Sequence, residues 1–135
     1  ALAGHFVAQR APLAAVALTT DSSALTAIAN DHAYDEVFAR QATALCGPND
    51  VVVGIGTSGK AESVARGILA AKARGAKTVG LTDGSDGHLR DLADTAIVVP
   101  SSETARIQEM HITIIHAVRA LIDDWSMSES PKAGD

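Results

Sequence analysis

The stretch from Asp50 to Arg66 constrains the fold more than any other part of this sequence. An apolar run at 51–53 leads into a turn of small residues at 54–59, and a helical pattern follows Lys60. This order predicts a buried parallel strand, a tight loop and a helix whose first backbone N–H groups have no partner within the helix. Such a helix start is a ready site for a phosphate or another anion.

Several kinds of site are compatible with this loop. The spacing of its three glycines matches a dinucleotide fingerprint, and the next strand ends in Asp83, an acid suited to a ribose hydroxyl. The loop also matches a P-loop, but Ala61 stands where Ser or Thr must bind magnesium, which argues against a nucleotide triphosphatase. In a third interpretation, Thr57 and Ser58 donate hydrogen bonds to a sugar phosphate. A turn that simply needs glycine is the structural alternative, and the loop alone does not choose.

Strand and helix patterns alternate along the rest of the chain. This alternation predicts an α/β sandwich with a parallel sheet, helices on both faces and the strand at Val51–Ile55 near the centre. We expect one domain at 1–125 and a disordered polar tail at 126–135. Strands are predicted at 14–18, 51–55, 77–82 and 95–99; helices at 1–9, from Ser22 after an Asp21 cap, at 34–46 with Val37, Phe38 and Leu45 inward, from Lys60 to about Arg74, at 89–92, and from Thr104 to about Trp125.

Composition excludes several classes of protein. Hydrophobic residues make up 47% of the 135 residues and aromatic residues only 3%, which suits aliphatic strands buried between helices. A net charge of -5 argues against a nucleic-acid partner. No apolar run reaches the ~18–20 residues of a membrane span. The single cysteine, Cys46, fits a reducing compartment, so we expect a cytoplasmic protein. Because the chain begins at Ala1 without methionine, we expect a fragment or a processed product.

Histidine and glutamine side chains form a candidate metal site. His5 and Gln9 lie at i, i+4 and so share a helical face, and Gln108, His111 and His116 lie on the last helix. Imidazole and amide oxygen can bind a divalent transition metal, and imidazole favours zinc. Gln108 and His116 are eight positions apart, an axial rise of ~12 Å, so they share an ion only if their side chains lean together or come from different subunits. Surface or structural roles stay open for each histidine.

Two further residues have a functional and a structural interpretation. Arg106, near the start of the last helix, is a candidate partner for a phosphate or a carboxylate, or it pairs with Glu103 or Glu109. Cys46 lies at an apparent helix end among apolar neighbours, where packing is expected rather than nucleophilic chemistry, since no activating partner is visible.

Taken together, these segments resemble the sugar isomerase (SIS) domain of phosphoheptose isomerases. The similarity extends over nearly the whole chain before the tail. The segments that carry it agree in order and spacing: Ala15–Asp31, Val37–Gln41, the Gly56-Thr57-Ser58-Gly59-Lys60 loop and Arg106–His111.

The resemblance implies a fold, a reaction and a set of site residues. The fold is a flavodoxin-like three-layer sandwich, usually in a homotetramer with active sites between subunits. The reaction is the aldose–ketose isomerisation of sedoheptulose 7-phosphate to D-glycero-D-manno-heptose 7-phosphate. By motif position, His116 is an acid/base, the substrate contacts are Thr20, Asp21, Thr57, Ser58 and Gln108, and the ligands of a zinc ion are His5, Gln108 and His116.

The sequence also departs from the family pattern. Upstream helices and a strand leading into a Gly-Asn-Gly-Gly-Ser loop are absent. Gln9 stands where the family has a glutamate that binds metal and acts as base, and an amide cannot accept a proton near neutral pH. Gly56 and Ala61 replace hydroxyl residues. The missing base favours an alternative, a non-catalytic SIS sugar-phosphate sensor or replication-initiator-associating protein, whereas the retained histidine and glutamine ligands favour the enzyme.

Overall fold

A computed structural model describes residues 2, 11–84 and 87–129. The chain divides into two compact units, one of residues 18–109 and one of residues 1–17 with 110–135. The elements in chain order are α1 (Ser22–Asp31), a 3-10 helix (Tyr34–Glu36), α2 (Val37–Leu45), β1 (Val51–Ile55), α3 (Glu62–Ala73), β2 (Lys77–Asp83), α4 (Leu89–Leu92), β3 (Thr95–Val99) and α5 (Thr104–Glu129).

The sheet has the order β1-β2-β3, and both strand pairs are parallel. Val79 of β2 lies between Val53 of β1 and Thr95 of β3. The predicted α/β fold with a parallel sheet is therefore confirmed. The prediction that Val51–Ile55 lies at the centre is wrong for the described sheet, in which β2 is the middle strand. On β1, alternate side chains remain about half exposed or more, at 63% for Val51 and 46% for Ile55.

The strand predicted at Ala14–Leu18 does not form. These residues have no regular secondary structure, and Val16 is 76% exposed. A strand persists only when neighbouring backbone groups complete its hydrogen-bond ladder, and among the described residues no such ladder includes this segment. The described sheet consequently has three strands where the sequence predicted four.

The two helices before the sheet follow the sequence prediction with one error. The Asp21 carboxylate caps α1 by accepting a hydrogen bond from the Ala24 N–H at 2.9 Å. In α2, Val37 is fully buried, as predicted, but Leu45 is 62% exposed. Ala39 and Ala42 are buried instead, so the inward face of α2 is made of small side chains rather than of its bulkiest ones.

Small residues let α2 and α3 approach closely. A Cβ atom built on Gly67 of α3 would lie 2.9 Å from Cβ of Phe38 on α2, closer than real Cβ atoms come. Ala42, Ala71 and Ala76 form a fully or almost fully buried cluster in the same unit. α3 in turn packs on β1 and β2, and it ends at Ala73, two residues before Gly75, whose φ of +85° is easiest for glycine.

The structure describes the two ends of the chain only in part. α5 continues to Glu129, past the predicted end near Trp125, and residues 130–135 lie outside the described residues. The helix predicted at Ala1–Gln9 also falls outside them, apart from Leu2. None of the helices described here has the length and apolar character that a membrane-crossing segment requires.

An ion pair with two supporting hydrogen bonds joins α3 to the sheet. Asp94 accepts hydrogen bonds from the backbone N–H and the hydroxyl of Thr78, both at 2.9 Å, and its other oxygen lies 3.0 Å from Lys72 Nζ. The hydrogen bond from Lys72, followed by those from Thr78, lowers the pKa of Asp94 to about 2. The carboxylate therefore links α3 to the starts of β2 and β3.

Acid should remove this contribution selectively. The pKa of Asp94 in the folded protein lies below the ~3.9 of an unfolded aspartate, so its stabilisation is complete above about pH 4 and is lost as the pH falls toward 2. We expect Asp94→Asn to lower the melting temperature at pH 7, and the difference from wild type to shrink near pH 2.5. Calorimetry at both pH values measures this, with the exposed Asp91→Asn on α4 as the control. An equal difference at both pH values would contradict the assignment.

Candidate functional site

The loop at 56–61 connects the end of β1 to the start of α3. The Gly56 N–H donates to the Leu81 carbonyl at 3.0 Å, which holds the start of the loop against β2. Ala61 is the N-terminal cap of α3 and makes no side-chain cap hydrogen bond. Its carbonyl accepts from Val64 and Ala65, so the cap closes the first turn through the backbone only. A helix start without a capping side chain has N–H groups available for water or an anionic ligand.

The two predicted hydroxyl residues, Thr57 and Ser58, lie within this loop; Thr57 is half-buried and Ser58 is exposed. The backbone N–H of Lys60 lies 3.4 Å from Ser58 Oγ. The structure therefore places the Ser58 hydroxyl just before the start of α3, where an anion would meet the helix dipole.

The segment after β2 packs directly against the loop. The Leu89 N–H donates to the Gly59 carbonyl at 3.2 Å, and the backbone of Gly87 touches that of Ser58 and Gly59. Gly59 has a φ of +60°, a conformation that favours glycine. The two loops at this end of the sheet thus form one contact surface.

Asp83, the proposed ribose acceptor of the dinucleotide interpretation, is only 7% exposed. It is the last residue of β2 and pairs with Val99, the last residue of β3. A carboxylate with so little exposed surface is poorly placed to accept hydrogen bonds from a ribose, so its burial argues against a dinucleotide site.

The other predicted substrate contacts lie at an exposed segment before α1. Thr20 and Asp21 are both exposed, and the Asp21 carboxylate is engaged as the helix cap. The structure therefore gives Asp21 a structural role, and its predicted substrate contact stays a prediction. Gln108, the remaining predicted contact, is exposed on α5.

The predicted metal site is only partly within the described structure. Gln108 and His116 are exposed on α5, whereas His5 and Gln9 lie outside the described residues. His111 is buried, and its Nε2 has no hydrogen-bond partner in the part of the chain that is described. Within that same part, no group of three or more His, Cys, Asp or Glu side chains is arranged to hold a metal ion.

For the two ambiguous residues the structure favours the structural interpretation. Arg106 lies 2.7 Å from Glu109 and 3.7 Å from Glu103, and all three are exposed. Burial, followed by the charge of Asp50, raises the pKa of the Cys46 thiol. A raised pKa lowers the thiolate fraction, so Cys46 is suited to packing and not to nucleophilic attack.

Sequence reasoning missed Thr82 and Gly87, which contact the loop from the next segment. Thr82 is 1% exposed, and its hydroxyl has no hydrogen-bond partner among residues 11–84 and 87–129. Neither residue belongs to the motif at 54–61, and the only available signal was the glycine-rich composition of residues 84–87.

The unpaired hydroxyl leads to a stability prediction. Thr82→Val replaces a buried hydroxyl by a methyl group of similar shape, so the melting temperature should stay unchanged or rise. Thr78→Val is the matched control, because the Thr78 hydroxyl is hydrogen bonded to Asp94, and it should cost ~1–3 kcal/mol. Thermal and urea denaturation measure both. A loss of comparable size in Thr82→Val would show that its hydroxyl is hydrogen bonded in solution.

The sequence matches a known family model and several named proteins. A family model described as "SIS domain" matches residues 16–122. The chain is 54% identical over 123 residues to a protein of Thermoplasma acidophilum named "Probable phosphoheptose isomerase", covering 91% of this chain and 68% of the relative. It is 53% identical to the phosphoheptose isomerase of a Nitratiruptor species, covering 91% and 66%.

Solved structures agree. A phosphoheptose isomerase from Francisella tularensis superposes with a TM-score of 0.86 at 36% identity, over 91% of this chain and 66% of that one. The chain thus spans about two thirds of the length of the relatives and structures that it matches.

Proposed function

We propose that this chain, which belongs to the SIS domain family and within it to the phosphoheptose isomerases, isomerises sedoheptulose 7-phosphate to D-glycero-D-manno-heptose 7-phosphate. The observation that carries the proposal is the hydroxyl-bearing loop at the uncapped start of α3, inside the matched segment. Turnover of sedoheptulose 7-phosphate, followed by chromatography of the aldose product, tests it.

The phosphate of the substrate is assigned to the loop at 56–61. Thr57 and Ser58 would donate hydroxyl hydrogen bonds, and the first N–H groups of α3 would donate from the backbone. Thr20, Asp21 and Gln108 are proposed to contact the sugar. Because Asp83 is buried, the same loop is not proposed to bind a dinucleotide.

Isomerisation moves protons without changing the oxidation level of the molecule as a whole. A base takes a proton from C1 of the ketose, the electron pair forms the C1–C2 double bond, and the C2 oxygen gains a proton. The O1 proton then leaves as the C1 carbonyl forms, and C2 receives a proton. His116 is proposed as one acid/base group, because an imidazole side chain can both donate and accept a proton near neutral pH.

Removing this imidazole should impair chemistry more than binding. We expect His116→Ala to lower kcat by about 10²–10⁴-fold, the usual range for an acid/base group. His32→Ala, an exposed histidine on another segment, should leave kcat unchanged. Equal kcat values for His116→Ala and wild type would refute the role of His116. Tight binding of the sugar phosphate with no turnover in wild type would favour the non-catalytic sensor, an alternative that Gln9 at the position of the base supports.

A divalent metal, with zinc as the candidate, is proposed at His5, Gln108 and His116. Two imidazoles and one amide oxygen suit zinc chemically, and a bound cation would polarise the substrate carbonyl. The described residues supply only two of the three ligands and form no metal cluster by themselves, so no step above is assigned to a metal. Elemental analysis after dialysis tests the proposal: zinc should be near stoichiometric in wild type and lost in His5→Ala, and its absence from wild type would contradict it.

Assembly into a homotetramer is also proposed, and the surface of α5 supports it. Among the described residues of α5, seven large apolar side chains are exposed, and four of them fall within about one quarter of the helical circumference at ~100° per residue. These four are Met110, Val118, Leu121 and Trp125. Such a stripe is more apolar than solvent contact favours and suits a symmetric partner surface. A cytoplasmic location is also proposed, because the lone Cys46 suits a reducing compartment.

Charge on the stripe should disrupt assembly. We expect light scattering to give the mass of four chains at micromolar concentration, and Leu121→Glu, at a side chain that is 67% exposed, to reduce it. Asp124→Ala on the same helix is the control for helix surface changes. A monomeric mass for the wild type would refute the assembly proposal.

A further inference from the structure

We propose that Gly87, Gly59 and Thr82 are positioning residues that hold the phosphate loop in its binding shape. The inference rests on the proposed function, because it concerns the same loop at 56–61. None of the three is proposed to touch the substrate. They act through Thr57 and Ser58, whose hydroxyls the loop presents at the start of α3.

The first contact is backbone against backbone. A Cβ atom built on Gly87 would lie 2.4 Å from the Ser58 carbonyl oxygen and 2.6 Å from Gly59 Cα. A methyl group at 87 would therefore act directly on the loop.

The second contact is made by Thr82 of β2 with Gly59 of the loop. Thr82 is buried, and its hydroxyl oxygen lies 2.6 Å from where a Cβ on Gly59 would stand. The Gly59 carbonyl also accepts a hydrogen bond from Leu89. Three groups of the segment from β2 to α4 thus close on one residue, which follows Ser58 directly in the chain.

The size of the contact sets the size of the effect. Ordinary van der Waals contact begins near 3.4 Å, so a methyl group at 87, built 2.4 Å from the Ser58 oxygen, must displace the backbone by about 1 Å. A misplacement of about 1 Å can cost up to ~10²-fold in an enzyme. Because the phosphate is distant from the reacting carbons, the loss should fall on KM and Kd, with kcat changed little.

The experiment compares three glycine variants in the full chain. We expect Gly87→Ala to raise Kd for sedoheptulose 7-phosphate, measured by calorimetry, at least about tenfold, which corresponds to ~1.4 kcal/mol. Gly84→Ala lies in the same loop, where, among the residues that the structure describes, a Cβ meets only Val98 Cγ1 at 3.9 Å, and its Kd should stay within about twofold of wild type. Gly67→Ala creates a milder clash, 2.9 Å from Phe38 Cβ and away from the loop; it should lower the melting temperature and leave Kd unchanged.

Two results would overturn the inference. A folded Gly87→Ala with wild-type Kd would overturn the inference, as would a Gly67→Ala that weakens binding to the same extent. If Gly87→Ala does not fold, Thr82→Ala decides: it removes the side-chain atoms packed on Gly59, and its Kd should rise severalfold, whereas an unchanged Kd would overturn the inference.

Failure of the proposed function gives a different pattern. If wild type binds sedoheptulose 7-phosphate or inorganic phosphate without turnover, the isomerase proposal fails, and the Kd values of the variants still decide the inference. If wild type binds neither, both proposals are overturned.

Discussion

The close approach of α3 to β1 is the constraint on which the candidate site depends. A Cβ built on Gly54 would lie 3.0 Å from Ile68 Cγ1 and 3.1 Å from Val64 Cγ1, so even a methyl group at position 54 would push these side chains of α3 by a few tenths of an ångström. On its other side, α3 meets α2 at Gly67, where a Cβ would again be too close to its neighbour. Gly54 thus fixes the distance of α3 from the sheet, and the position of its first turn follows from that contact, whereas Gly67 sets the distance of α3 from α2.

Features encoded by neighbouring residues were predictable from the sequence. The strand, glycine loop and helix at 51–73 were correct because each signal lies within a few residues of its effect: β-branched side chains, a turn and a 3.6-residue period. The Asp21 cap was predictable for the same reason. Thr57 and Ser58 lie in the loop before α3 because the same local signals define that loop, and their contact with a phosphate stays a prediction.

The errors concern long-range packing. Whether residues 14–18 form a strand depends on a neighbouring ladder, which no local pattern encodes. Leu45 is apolar but exposed, because the tight α2–α3 contact selects alanine for its inner face. Thr82 and Gly87 lie more than 20 residues along the chain from Gly59, which both contact, so only the fold brings them to the loop. A single sequence contains no direct signal for such pairs, so the supporting residues of the site emerged only from the structure.

The exposed face of β1 has a consequence for how the chain behaves at high concentration. Val51, Val53 and Ile55 leave about half or more of their surface in solvent, on a strand that lies at one side of the described sheet. Short β-branched segments of this kind are templates for pairing with another chain, and natural proteins usually cover or charge them. Asp50 is the only charged residue directly beside the strand at its entry. When uncovered, β1 is therefore the segment at which intermolecular strand addition, and with it fibrous aggregation, would begin.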